Sequence, residues 1–99
     1  MLTPEEKRFL LFVERGDCAS ASKLIKAYKT RAKLFDINCT DPLGRSGLSI
    51  AIINENPEMM ELLLEENIKV KDALLLAIAE EYVEGVELLL QVSAHTYIN

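Results

Sequence analysis

The chain has 99 residues, enough for one small domain, and 49% of them are hydrophobic, too many for a disordered segment. Its longest apolar run, Ala73 to Ala79, is seven residues against the roughly twenty that a membrane-spanning helix needs, and the first eight residues hold no apolar leader core. The net charge of −5 conceals an asymmetry: residues 1–45 carry nine Lys/Arg against six acids, and residues 46–99 carry two against ten. Trp is absent, so Leu, Ile, Ala, Val and Met must fill the core. Cys18 and Cys39 lack paired spacing, which fits a reducing compartment and small buried thiols rather than a disulfide or a metal site.

Thr3-Pro4-Glu5-Glu6 predicts a helix start, with Thr3 as cap, Pro4 at the first helical position and Glu6 completing a capping box. The first helix is expected over about Pro4 to Arg15, with Phe9, Leu10, Phe12 and Val13 as its apolar stripe and Gly16 as a left-handed stop. Asp17 then caps a helix over about Cys18 to Tyr28, with Ala21, Leu24, Ile25 and Tyr28 inward. The pattern lapses from Lys29 to Asn38. Its basic residues, with Lys26 just before, offer charge to a phosphate-bearing head group or an acidic partner, but a solvated loop is the simpler reading. Without aromatic interleaving or a recognition helix, nucleic acid is not an expected partner.

Asp41-Pro42-Leu43-Gly44 is a β-turn signature, and Ser46 behind it is a cap for a helix to about Asn54 with Leu48, Ala51 and Ile52 at helical spacing. Ala51 is small enough to let a neighbouring helix approach closely. Asn56-Pro57-Glu58 launches the next helix, to about Glu66, with Met59, Met60, Leu62, Leu63 and Leu64 on its inner side, the methionines read as core fillers. Asn67 is a left-handed terminator, and Asp72 is expected to cap a helix from about Ala73 to Glu81. After a break near Tyr82, the last helix is expected from about Val83 to Gln91, where Gly85 either weakens it or permits close packing. Residues 93–99 read as a frayed tail, and His95 has no second ligand or base beside it.

The punctuation repeats. Leu48 to Leu64 matches Leu74 to Leu90, with both Ala51 to Ala77 and Leu62 to Leu88 separated by 26 residues, and the first pair lies 39 residues upstream of the second. A turn, a cap and small-residue helix pairs resemble ankyrin repeats, whose period is about 33 residues, so the connector before the third pair is short by about seven. The fold expected is an all-α ankyrin-repeat solenoid of about three helix pairs (about 3–28, 46–66 and 72–91) within residues 1–92, with one full β-turn finger.

The segments Leu2 to Asp17, Ile37 to Ser46, Ala51 to Asn56 and Asp72 to Ala79 further resemble the cytoplasmic N-terminal ankyrin region of TRPC-type transient receptor potential channels. Phe12 departs from that pattern, which commonly has alanine there. The resemblance implies a fragment or truncated form of a calcium-permeable cation channel subunit, not itself conducting, whose role is assembly and protein binding. It also implies a homo- or hetero-tetrameric parent on the cytoplasmic side of the plasma membrane. A stand-alone cytoplasmic ankyrin adaptor is the rival expectation. No phosphate loop, metal-ligand cluster or catalytic grouping suggests an enzyme, and no cofactor is expected. The candidate protein-binding residues are Asp41, Leu43, Gly44 and Arg45 of the finger, then Lys29, Arg31 and Lys33 of the basic loop. The third pair ends on Leu88, Leu89 and Leu90 with no polar capping repeat, so exposed apolar surface is expected there.

Overall fold

The structure is a computed structural model that describes the backbone of residues 1–98 and the side chains of residues 1–94. Six helices follow in order: α1 (Pro4–Arg15), α2 (Cys18–Tyr28), α3 (Gly47–Ile53), α4 (Pro57–Glu65), α5 (Ala73–Ala79) and α6 (Val83–Ile98). Four start on a side-chain cap that satisfies an otherwise orphaned backbone N–H: Thr3 accepts from Glu6, Asp17 from Ser20, Ser46 from Ser49 and Asn56 from Met59. The capping box of Thr3 and Glu6 is complete. Asp72 does not cap α5: its side chain makes no capping hydrogen bond, because its backbone (φ −90°, ψ 17°) is not in the extended conformation that aims a cap at the first turn.

One reversal joins the two helices of every pair. Gly16, Glu55 and Glu81 are left-handed, with φ of 71°, 50° and 55°. In each turn that residue's N–H reaches back three residues, to Val13, Ile52 and Ile78, while the next N–H reaches back five, from Asp17 to Phe12, Asn56 to Ala51 and Tyr82 to Ala77. This is the Schellman arrangement, which satisfies two carbonyls at a helix end. The three acceptors Phe12, Ala51 and Ala77 carry the 39- and 26-residue offsets read from the sequence, so backbone hydrogen bonding and side-chain pattern agree on the repeat. Asn67 (φ 63°) closes α4 in the same way, with Ile68 donating to Leu63.

The helices form two layers. α1, α3 and α5 lie side by side, α2, α4 and α6 form the second row, and α3 sits in the middle against α1, α4 and α5. Equivalent positions fill the space between the rows: Leu24, Leu63 and Leu89 are all buried, as are Phe9 and Leu48. Met59 and Met60 are fully enclosed and serve as core, while Leu62 and Leu64 are half-buried. Phe12 packs at the edge of the core. Gly85 is a close-approach residue: a Cβ there would stand 2.4 Å from the Tyr82 ring, which is buried over the start of α6.

Two expected boundaries move. Helix α5 stops at Ala79 rather than Glu81, since Glu80 and Glu81 belong to the reversal. Helix α6 continues past Gln91 to Ile98, so residues 93–98, expected as a tail, extend it; the side chain of His95 and all of Asn99 lie outside the described residues. Exposed apolar side chains on the third pair are Leu75, Ile78, Val83 and Leu90, whereas Leu89 is buried against the core.

Only the first reversal uses glycine, the residue that adopts φ > 0 without a Cβ penalty. Glu81→Gly is therefore expected to stabilise the fold by about 0.5–1 kcal/mol, the left-handed strain relieved less the extra freedom of glycine in the unfolded chain. Urea denaturation followed by circular dichroism measures this, and a midpoint that falls would contradict it.

Candidate protein-binding site

The long connection between α2 and α3 carries both sets of candidate residues. Its finger is locked by one side chain. Asp41 Oδ1 accepts the N–H groups of Leu43 (3.0 Å) and Arg45 (2.8 Å), and its Oδ2 accepts Arg45 Nε at 2.8 Å. The Gly44 N–H donates to the Asp41 carbonyl, the Asp41 N–H donates to Arg45, and Thr40 bridges to Ser46. Gly44 is left-handed at φ 81°. Asp41 and Arg45 thus spend their charges on each other; Pro42, Leu43 and Gly44 are exposed, and Leu43, 79% accessible, is the large apolar side chain among them.

Burial raises the affinity of the Asp41 carboxyl for its proton, but the N–H and guanidinium of Arg45 and the N–H of Leu43 outweigh it and hold the pKa below the ordinary value of 3.8. A carboxyl with a depressed folded pKa stabilises the finger above the unfolded pKa, and that contribution fades as pH falls through the folded one.

The basic loop is exposed but anchored. Lys29, Arg31 and Lys33 all face solvent, with Lys29 3.5 Å from Glu66. Behind them a turn centred on the Arg31 carbonyl carries Phe35 inward, where its ring meets Phe9 edge to face at 5.1 Å. Glu6 fastens the same segment: its buried carboxylate accepts the Thr3 N–H and the Asp36 N–H, each at 2.9 Å, while the Thr3 hydroxyl donates to the Leu34 carbonyl. The solvated loop of the sequence reading is therefore a tethered segment with a solvated outer side.

The two candidate sets are not gathered into one lining. Lys29 opens onto a depression with Ile25, Phe35, Ile37 and Glu66, whereas Gly44 opens onto a groove with Ser46, Lys69, Lys71 and Leu76. The sequence reading missed Glu6 as a tether, and it missed Lys69 and Lys71. The lysines had a signal, since they are the only Lys or Arg after Arg45.

Both thiols are half-buried and free, and neither is set up as a nucleophile. Burial first, then the Glu6 and Asp36 carboxylates, push Cys39 up to about 12; burial and Glu58 push Cys18 up as well. Among the described residues no cluster of His, Cys, Asp or Glu could hold a metal, and no helix is long and apolar enough to cross a membrane.

Paired helices stacked in two rows, with one finger projecting from their edge, define a repeat-stack protein, and the model for ankyrin repeats (3 copies) matches residues 9–99. The chain belongs to the ankyrin-repeat family. Within it, the chain is 55% identical over 91 residues to the Transient receptor potential protein of Drosophila melanogaster, covering 92% of this chain and 7% of that protein. It is 54% identical over 89 residues to the human Short transient receptor potential channel 4 and 43% identical over 91 residues to the human Short transient receptor potential channel 3, in each case covering 90% of this chain and 9% of the relative. The chain thus spans less than a tenth of the length of these relatives.

The finger clamp can be read directly by titration. The Asp41 carboxyl carbon, followed by NMR, is expected to titrate below pH 3.8. Arg45→Ala should move that midpoint upward by removing the guanidinium, and an unmoved midpoint would show that the ion pair contributes nothing to the clamp.

Proposed function

We propose that this chain is the ankyrin assembly and protein-interaction region of a TRPC-like calcium-permeable cation channel, on the cytoplasmic side of the plasma membrane and not itself ion-conducting. The observation that carries the reading is 43–55% identity to three such channels across nine-tenths of the chain or more. A repeat stack works by presenting surface. The parent assembles as a homo- or hetero-tetramer.

The finger serves as the first contact and the basic loop as the second. Leu43 supplies exposed apolar area on a tip made rigid by Asp41 and Arg45, so little conformational freedom is lost when it docks. Lys29, Arg31 and Lys33 set orientation through charge, on a segment whose backbone is already fixed by Phe35 and Glu6.

A segment exchange tests this. Residues 1–92 replace the matching segment of the Drosophila Transient receptor potential protein, and tetramer formation and whole-cell current are recorded. The exchanged channel is expected to assemble and conduct. The same channel carrying Leu43→Ser with Lys29, Arg31 and Lys33 changed to Glu is expected to bind its cytoplasmic protein partners about tenfold more weakly. Loss of assembly in the unmutated exchange, with the 99-residue chain still capturing a protein, would favour the free adaptor instead. Unchanged partner binding by the fourfold variant would remove these residues from the interface.

A further inference from the structure

The connector between the second and third helix pairs leaves a notch. Only residues 66–72 join α4 to α5, whereas residues 29–46 join α2 to α3. Against a period of about 33 residues, the 26-residue spacing of these pairs omits about seven, the length of a finger. The finger is open at Gly44: apart from its own chain neighbours, no atom lies within 4 Å of where a Cβ there would stand.

The result is a groove of about 320 Å³ between the finger and the connector. Thr40, Gly44 and Ser46 line one wall, Lys69 and Lys71 the other, with Leu76 at the floor. The connector is held in register with the finger base by the Lys69 N–H, which donates to Asn38 Oδ1 at 2.8 Å. The walls are therefore fixed relative to each other before anything binds.

The charge of this groove runs against its surroundings. Residues 46–99 carry ten acids and two lysines, and both lysines stand on this rim. Both are exposed, and neither forms an ion pair among the described residues. Asp72 is the one acid on the rim. The Thr40 hydroxyl adds a hydrogen-bonding group beside the mutually paired hydroxyls of Ser46 and Ser49, and Ala73 and Leu76 give the floor apolar area.

We propose that the notch receives an extended acidic segment of a partner protein, which lies beside the finger in the place of the omitted one. Alternate side chains of an extended strand point to opposite sides, so its carboxylates meet Lys69 and Lys71 while intervening apolar side chains face Ala73 and Leu76. A second copy of this chain fits poorly, because the acids of its second half are carried on helices and tight turns. The groove takes in Gly44 of the finger but not Leu43, so its failure leaves the channel-region reading to be decided by the segment exchange.

The test uses the 15N-labelled 99-residue chain and a blocked heptapeptide of alternating glutamate and valine, with a lysine-valine heptapeptide as control. The acidic peptide is expected to shift the amide resonances of Thr40, Gly44, Ser49 and residues 69–73, with affinity falling as salt is added. Lys69→Glu with Lys71→Glu is expected to weaken it at least about tenfold, and Lys23→Glu, on the exposed side of α2, to leave it unchanged. Inserting a second copy of the seven-residue segment Thr40–Ser46 after Val70 should close the notch and abolish binding. Circular dichroism verifies the fold of each variant, and should the double Glu variant not fold, Lys69→Gln with Lys71→Gln replaces it, with weakening again expected. Equal shifts from the basic peptide, shifts elsewhere than the notch, or unchanged affinity in the folded Lys69 and Lys71 variants would overturn the proposal.

Discussion

Every helix pair in this chain depends on a reversal in which one residue turns left-handed and two backbone N–H groups fold back onto the helix just ended. Geometry permits little else. A helix end leaves carbonyls without partners, and the next helix must pack antiparallel after two or three residues, so the turn has to satisfy those carbonyls while it changes direction. Gly16, Glu55 and Glu81 do this at matching positions, and the acceptors Phe12, Ala51 and Ala77 fix the register. From that register follow the inward positions Leu24, Leu63 and Leu89, and with them the spacing of the two rows of helices.

Much of this was legible in the residues. The caps Thr3, Asp17, Ser46 and Asn56 were readable because each stands immediately before an apolar helical pattern. Glu55 and Glu81 were not readable as left-handed turns, since glutamate has no preference for that conformation; only their equivalence to Gly16 betrays them. Asp72 looked like a cap by composition and fails as one by backbone angle. The continuation of α6 to Ile98 was hidden because the apolar spacing used to trace it gives out after Leu90, while helical backbone needs no such spacing to persist.

The candidate residues could be named by type, but not the contacts that hold them. Asp41 and Arg45 pair with each other inside the finger and leave Leu43 as its exposed large side chain. The basic stretch suggested a free loop, yet Phe35 and Glu6 bind it to α1 across about thirty residues of sequence. Such long-range tethers are invisible to local pattern, because nothing near Glu6 in the chain indicates that its second oxygen will meet the Asp36 N–H. Together they convert an insertion between repeats into part of the first pair's folding unit.

The position of Tyr82 has a consequence for how stability is distributed. In the first two pairs the residue after the reversal, Asp17 or Asn56, caps the second helix, but in the third it is a tyrosine, whose hydroxyl is buried with no partner among the described residues. Its ring packs against Gly85, while its carbonyl accepts the Val86 N–H, so the start of α6 is held by shape and by backbone hydrogen bonding. α5 also starts without a side-chain cap, so the interface with the neighbouring pair contributes to holding the third pair in place. Glu6 thus staples the long connection to the first pair, whereas the third pair joins the stack through the packing of α5 on α3 and of α6 on α4.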